Sequence, residues 1–183
     1  MKRIIVLFVL FLVFSEGTQA ETWYVMPDGT GDAINIQAAI DSCAAGDTVL
    51  VAPGTYRGGG NRDIDFNGKA IVVVSEHGAD VTVIDCEGSS AERHRGFHFH
   101  SNEDSFSVLD GFTITNGYDS LGGGLYIHMS SPVIRNNKIQ FNHGNYGGGI
   151  YCLRSKSKIA HNDIYHNHSW FGGGIYCNSD SSE

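Results

Sequence analysis

Over the C-terminal third of the chain, apolar and polar positions alternate only in short stretches, as at Ile150 and Cys152 and again around Ile159 and Ile164. Gly, Asn, Ser and His break each stretch after a few residues. No stretch carries the 3.6-residue spacing of an amphipathic helix. The pattern predicts short strands joined by tight turns, about three per 25 residues at ordinary strand lengths.

The strands recur. Gly122-Gly123-Gly124-Leu125-Tyr126-Ile127, Gly147-Gly148-Gly149-Ile150-Tyr151-Cys152 and Gly172-Gly173-Gly174-Ile175-Tyr176-Cys177 align without gaps at a spacing of 25 residues. Between the triplets Ile134 matches Ile159, Asn137 matches Asn162, Ile139 matches Ile164, Asn142 matches Asn167 and Tyr146 matches Phe171. A constant period of this size is the signature of a solenoid. One three-strand unit cannot bury its apolar face alone. Coiling the chain so that each strand pairs with its counterpart one turn later brings like positions within about 4.8 Å of each other. Ile139 over Ile164 then becomes an internal aliphatic ladder. Asn137 over Asn162 and Asn142 over Asn167 become turn ladders whose amides hydrogen-bond along the axis, at corners where Asn tolerates left-handed backbone. The glycine triplets fall where the chain turns tightly before re-entering a strand.

Upstream, Trp23-Tyr24-Val25 reads as a strand, Pro27-Asp28-Gly29 as a turn, and Ile36 to Cys43 as a short helix with Asn35 as N-cap and Gly46 beyond its C-terminus. Ile36, Ala39, Ile40 and Cys43 share one face of that helix. Laid across the open end of the first coil, that face covers the core. Residues 47–56 supply the first coil strand and its exit turn, and 70–75, 81–85, 97–101 and 112–115 supply strands for less regular coils. The organisation expected is a leader at 1–20, a strand and capping helix at 21–47, and β-helix coils over 48–183.

These repeats resemble those of right-handed parallel β-helix proteins, the pectate lyase-like superfamily that includes polygalacturonases and pectin methylesterases. The cap and opening coil are similar to those of pectin methylesterases and many bacterial β-helix proteins. The GG-G-[IL]-Y segments are also similar to the repeats of polymorphic outer-membrane adhesins, whose companion motif has its counterparts in Ile139-Gln140-Phe141-Asn142 and Ile164-Tyr165-His166-Asn167. The resemblance implies an all-β fold, a right-handed single-stranded parallel β-helix of about six coils with a short N-terminal capping helix.

Catalytic motifs of that superfamily are not matched. Tyr56-Arg57-Gly58 lacks the Glu that follows the opening tyrosine of pectin methylesterases, and Asn142-His143-Gly144 is explained by the repeat register as a turn. Asp110, Asp119, Arg135 and Asp163 are the residues a lyase-like calcium site would draw on, though scattered single charges on exposed strands are usually just solvated. Tyr126, Tyr151 and Tyr176 point outward on alternation, either as an aromatic strip for stacking on sugar rings or as a ladder packed on itself. His98 and His100 share one strand face, a pair able to bind zinc, but no third ligand is evident in the sequence. Their expected state is two imidazoles in water over an inward Phe97 and Phe99, with no metal assigned. His143 and His168 belong to turns. Cys152 and Cys177 stack as a buried thiol ladder, whereas Cys43 and Cys86 are the candidate disulfide, stapling the cap helix to an early coil.

Composition narrows the function. The 183 residues hold 41% hydrophobic and 17% charged residues, enough apolar material for a core and too little charge for a disordered chain. A formal net charge of −8 argues against nucleic acid as partner and makes polyanionic pectin a poor electrostatic match. Lys2 and Arg3 precede an apolar run from Ile4 to Phe14 and a stretch ending in Thr18-Gln19-Ala20, the layout of a secretory signal peptide cleaved after Ala20. The run is short of the roughly 20 residues that span a bilayer. A secreted chain without a transmembrane segment is expected, at a bacterial cell surface or in the periplasm. The third repeat stops after Asn178 with no C-terminal cap, so a fragment of a longer protein is expected, able to self-associate through its open coil. The leading functional expectation is a non-catalytic extracellular scaffold or binding module for polysaccharide or cell surfaces, with no cofactor. The alternative is a polysaccharide lyase or hydrolase acting on acidic glycans such as pectin, with calcium as cofactor if a lyase.

Overall fold

The computed structural model of the chain describes residues 19–179, so the leader, apart from Gln19 and Ala20, lies outside the described residues. Strand β1 (Thr22–Val25) and helix α1 (Ile36–Ser42) come first. The first coil is β2 (Thr48–Val51), β3 (Gly54–Tyr56) and β4 (Ile64–Asp65). The second is β5 (Val72–Ser75), β6 (Thr82–Asp85) and β7 (Phe97–Phe99), and the third β8 (Val108–Asp110), β9 (Thr113–Thr115) and β10 (Leu125–His128). The fourth is β11 (Val133–Arg135), β12 (Lys138–Gln140) and β13 (Ile150–Leu153), and the fifth β14 (Lys158–Ala160), β15 (Asp163–Tyr165) and β16 (Ile175–Asn178).

Corresponding strands of successive coils form three parallel sheets: β1-β2-β5-β8-β11-β14, β3-β6-β9-β12-β15 and β4-β7-β10-β13-β16. This is an all-β parallel β-helix with one short helix, as the 25-residue period predicts. Register stacks like on like. Tyr56, Ile84, Ile114, Ile139 and Ile164 run along the second sheet. Ile64, Phe97, Leu125, Ile150 and Ile175 run along the third. Down to Ile139 and Ile150 these ladders are buried, and full burial of one such side chain is worth about 1.5–3 kcal/mol. Among the described residues the last coil is covered on one side only, and Ile175 is 39% exposed where Ile150 is 0%.

The helix forms where it was expected, one residue shorter. The Ala38 N–H donates to the Asn35 side chain at 2.8 Å, the predicted N-cap. Ile36, Ala39, Ile40 and Cys43 are buried together in the core. Its C-terminus is closed by a residue the local sequence does not reveal: Lys69 Nζ reaches over from the loop after β4 and donates to the carbonyls of Ile40, Asp41 and Cys43, where the helix dipole favours a cation. Strand β1 pairs with β2 and so begins the first sheet.

The corners obey a finer rule than expected. Left-handed residues recur at the same 25-residue spacing: Gly111, Asn136 and His161 at one corner, Asn116, Phe141 and His166 at the next, Gly122, Gly147 and Gly172 at the third. The buried ladder asparagines are not among them. Each follows a left-handed residue by one position, and its task is hydrogen bonding. In each glycine triplet only the first residue has positive φ. Left-handed backbone costs an ordinary L-residue about 1–2 kcal/mol, less for Asn. His161→Asn, which restores the residue found at Asn136, is therefore expected to raise unfolding free energy by about 1 kcal/mol, measured by urea denaturation. An unchanged midpoint would show that this corner carries no strain.

Candidate functional site

The third sheet turns Ile64, Phe97, Leu125, Ile150 and Ile175 into the core, and alternation turns their neighbours out. One outward row therefore reads Asp65, His98, Tyr126, Tyr151 and Tyr176 along the axis. The histidine pair and the tyrosine ladder, separate features in the sequence, lie on one face.

The tyrosines stack on one another. Ring centroids of Tyr126 and Tyr151 are 5.7 Å apart with planes 1° from parallel, and those of Tyr151 and Tyr176 are 5.6 Å apart at 3°. Arg95 covers the first tyrosine ring, its guanidinium carbon 4.9 Å from the Tyr126 centroid. The ring faces between Tyr126 and Tyr176 are thus taken up within the ladder, the self-packed arrangement of the two that alternation allows. Burial and the flanking Tyr126 and Tyr176 raise the Tyr151 phenol above its ordinary value.

Beside Tyr126 the surface opens into a groove of about 560 Å³, whose lining includes Asp63, Arg93, Arg95, His98, Asp119 and Tyr126. Arg95 is held by Asp119 at 2.7 Å and donates to the Leu121 carbonyl at 2.9 Å. Arg93 donates to the Ser120 hydroxyl at 2.7 Å. Asp63 accepts from the Arg95 backbone N–H at 2.9 Å and meets His94 Nδ1 at 2.6 Å. The floor is rigid sheet, and the charged groups stand on the turns between the second and third sheets.

At the N-terminal end of the same row the structure supplies what the sequence did not, a carboxylate beside the histidine pair. Strand β4 places Asp65 in register with His98 on β7. Asp65 Oδ2 lies 3.0 Å from His100 Nε2 and 3.9 Å from His98 Nε2, and the two imidazole centroids are 4.8 Å apart. Phe97 and Phe99 point inward and are buried, as alternation predicts. His98 itself is half-buried rather than free in water, and desolvation, outweighing the attraction of Asp65, lowers its pKa below the ordinary imidazole value.

The other candidates do not assemble. Asp110 and Arg135 pair at 2.7 Å on the first sheet, Asp163 lies on the second, and Asp119 is paired with Arg95 beside the third. Four residues on three sides of a helix cannot act on one bond. Tyr56 is a buried structural residue whose hydroxyl lies 2.9 Å from the Ala52 carbonyl and 3.1 Å from that of Val25. The Cys43–Cys86 disulfide is not formed: all four cysteines are free thiols. Cys43 ends the cap helix ahead of the first sheet, whereas Cys86 follows β6 at the far corner of the second coil. Burial raises both thiols, Cys43 to about 11. Cys152 and Cys177 are in register on the inward side of β13 and β16. Burial pushes the Cys152 thiol up to about 12, while Cys177, in the last coil, is exposed.

His143 sits in a stack of its own, between Tyr118 at 4.4 Å and His168 at 4.9 Å. Its Nδ1 is buried without a partner. Burial and His168 lower its pKa from 6.5. A depressed folded-state pKa means that the unfolded chain binds the proton more readily, so the stability contributed by neutral His143 and His98 is present above pH 6.5 and is lost as pH falls below it. A second loss follows as pH falls below 3.8, where Asp28, Asp47 and Asp85, all depressed from that value, take up protons. The melting temperature followed by circular dichroism is expected to fall between pH 7.5 and pH 5, and His143→Phe to recover part of that fall. A flat profile across this window would contradict the assignment.

Set against protein-family models, curated proteins and solved structures, the chain matches none of them. The class that strand pairing itself defines is a parallel β-solenoid carrying a polar groove and an aromatic ladder on its third sheet. Among the described residues no helix is long and apolar enough to cross a membrane.

Proposed function

We propose that the chain is a secreted, non-catalytic binding module or scaffold whose third-sheet face takes polysaccharide or cell-surface glycan. The observation that carries this reading is the groove beside the tyrosine ladder. Two arginines and two carboxylates converge on it next to an aromatic wall, giving donors and acceptors for sugar hydroxyls over a rigid floor. The tyrosine ladder continues from that wall along the axis. The net charge of −8 favours neutral over polyanionic glycans. The likeness of the GG-G-[IL]-Y segments to adhesin repeats supports a surface role, and the leader composition of residues 1–20 supports export.

Pull-down on a panel of immobilised neutral and acidic polysaccharides tests the reading. The unmodified protein is expected to be retained on a neutral glycan, and a variant combining Arg93→Ala with Tyr126→Leu to lose most of that retention. Retention on none of the panel, or equal retention of the variant, overturns it. The variant leaves Tyr151 in place because that residue is only 7% exposed and its removal would disturb packing.

A further inference from the structure

From Asp65, His98 and His100 we infer a binding site for a single divalent cation of the zinc class. Two imidazoles and one carboxylate, each offering one ligand atom, lie with those atoms all within 4.8 Å of one another. Tetrahedral zinc with bonds of about 2.0–2.2 Å sets its ligand atoms roughly 3.3 Å apart. The 3.0 and 3.9 Å separations from Asp65 Oδ2 bracket that spacing, and His100, with 41% of its side chain exposed, has room to swing inward for the third.

The site is built as well as close. Asp65 Oδ1 accepts the Asn67 N–H at 2.7 Å, and the Asp65 N–H donates to Gln37 Oε1 of the cap helix at 2.8 Å. The first bond fixes the carboxylate and the second its backbone, leaving Oδ2 toward the histidines. His98 Nε2, the atom whose spacing fits, donates to the Asp63 carbonyl at 3.1 Å, and the metal displaces that bond. The mixed nitrogen and oxygen donors favour zinc or its late first-row neighbours over calcium and magnesium, which prefer oxygen alone.

Three protein ligands leave a fourth coordination position, and His98 also lines the groove. The inference does not rest on the glycan reading, since the ligand set is complete without a sugar.

Equilibrium dialysis of zinc against the purified chain, prepared without a histidine tag, tests the site. Saturable uptake of a single zinc per chain is expected at pH 7.5, with affinity falling at least about tenfold in each of His100→Ala and Asp65→Asn and staying unchanged in His168→Asn. Cobalt bound at the same stoichiometry is expected to give visible absorption that those two variants lose. His100 is exposed and Asn keeps the shape of Asp65, so both variants retain the fold, which far-ultraviolet circular dichroism checks. Absence of saturable uptake, or uptake undiminished in both variants, overturns the inference.

Discussion

Asn142→Ala is expected to lower the free energy of unfolding by about 3 kcal/mol or more, whereas Asn167→Ala costs clearly less. Asn142 is 1% exposed. Its Oδ1 accepts the Gly117 N–H at 2.8 Å, and its Nδ2 donates to the Ile114 carbonyl and to Asn167 Oδ1, both at 3.0 Å. Truncation takes this partner from the Gly117 N–H and the Ile114 carbonyl at a dry corner, and each costs about 1–3 kcal/mol when water cannot replace the lost bond, while Asn167 Oδ1 keeps the Asn142 backbone N–H at 3.0 Å. Asn167 makes the same kind of bonds one coil later, its Nδ2 donating to the Ile139 carbonyl at 2.8 Å. It is only half-buried, so water can substitute there. Urea denaturation of the two variants measures the difference, and equal small losses would show that the ladder does not hold the coils together.

Gly123→Ala and Gly148→Ala are expected to abolish folding or to cost more than about 3 kcal/mol, while Gly173→Ala is expected to be tolerated in this chain. The reason is approach rather than conformation, since none of the three has positive φ. A Cβ on Gly123 would stand 2.3 Å from the His143 carbonyl oxygen and 2.7 Å from that of Gly148. On Gly148 it would stand 2.5 and 2.7 Å from the carbonyl oxygens of His168 and Gly173. Backbone on the next coil cannot step aside without opening the sheet. At Gly173 the nearest atom is the Asn167 carbonyl oxygen at 3.2 Å, which needs a shift of a few tenths of an ångström. Soluble yield and thermal melting of the three variants separate these outcomes. Equal tolerance at all three positions would refute close packing of the triplets.

What could be read from sequence follows from where the repeat is regular. Between Gly122 and Cys177 the period fixes register, ladders and corners, because each residue there has a counterpart 25 positions away. The early coils hide their pairing. Asp65 and His98 face each other across 33 residues, and His98 and Tyr126 across 28, so no constant spacing links them. Strand β4 is two residues long, Ile64–Asp65, too short to show alternation, and β8 was missed likewise. The aspartate that completes the histidine cluster was therefore invisible until the coil was closed. The glycine triplets were legible as a corner, but that only the leading residue has positive φ, and that in the first two triplets the other two are pressed by backbone of the next coil, appears only when the neighbouring backbone is in place.

The uniform 25-residue coil also determines how this chain can change in length. Removing a single residue inside β13 inverts its alternation and drives a tyrosine into the core. Removing residues 126–150 joins Leu125 to Tyr151, the register partner of Tyr126, and puts Asn162 and Asn167 where Asn137 and Asn142 stood. Every corner and ladder then still finds its counterpart. For this region the small deletion is the severe lesion and the large one the mild one, so insertions and deletions survive only as whole turns of the screw.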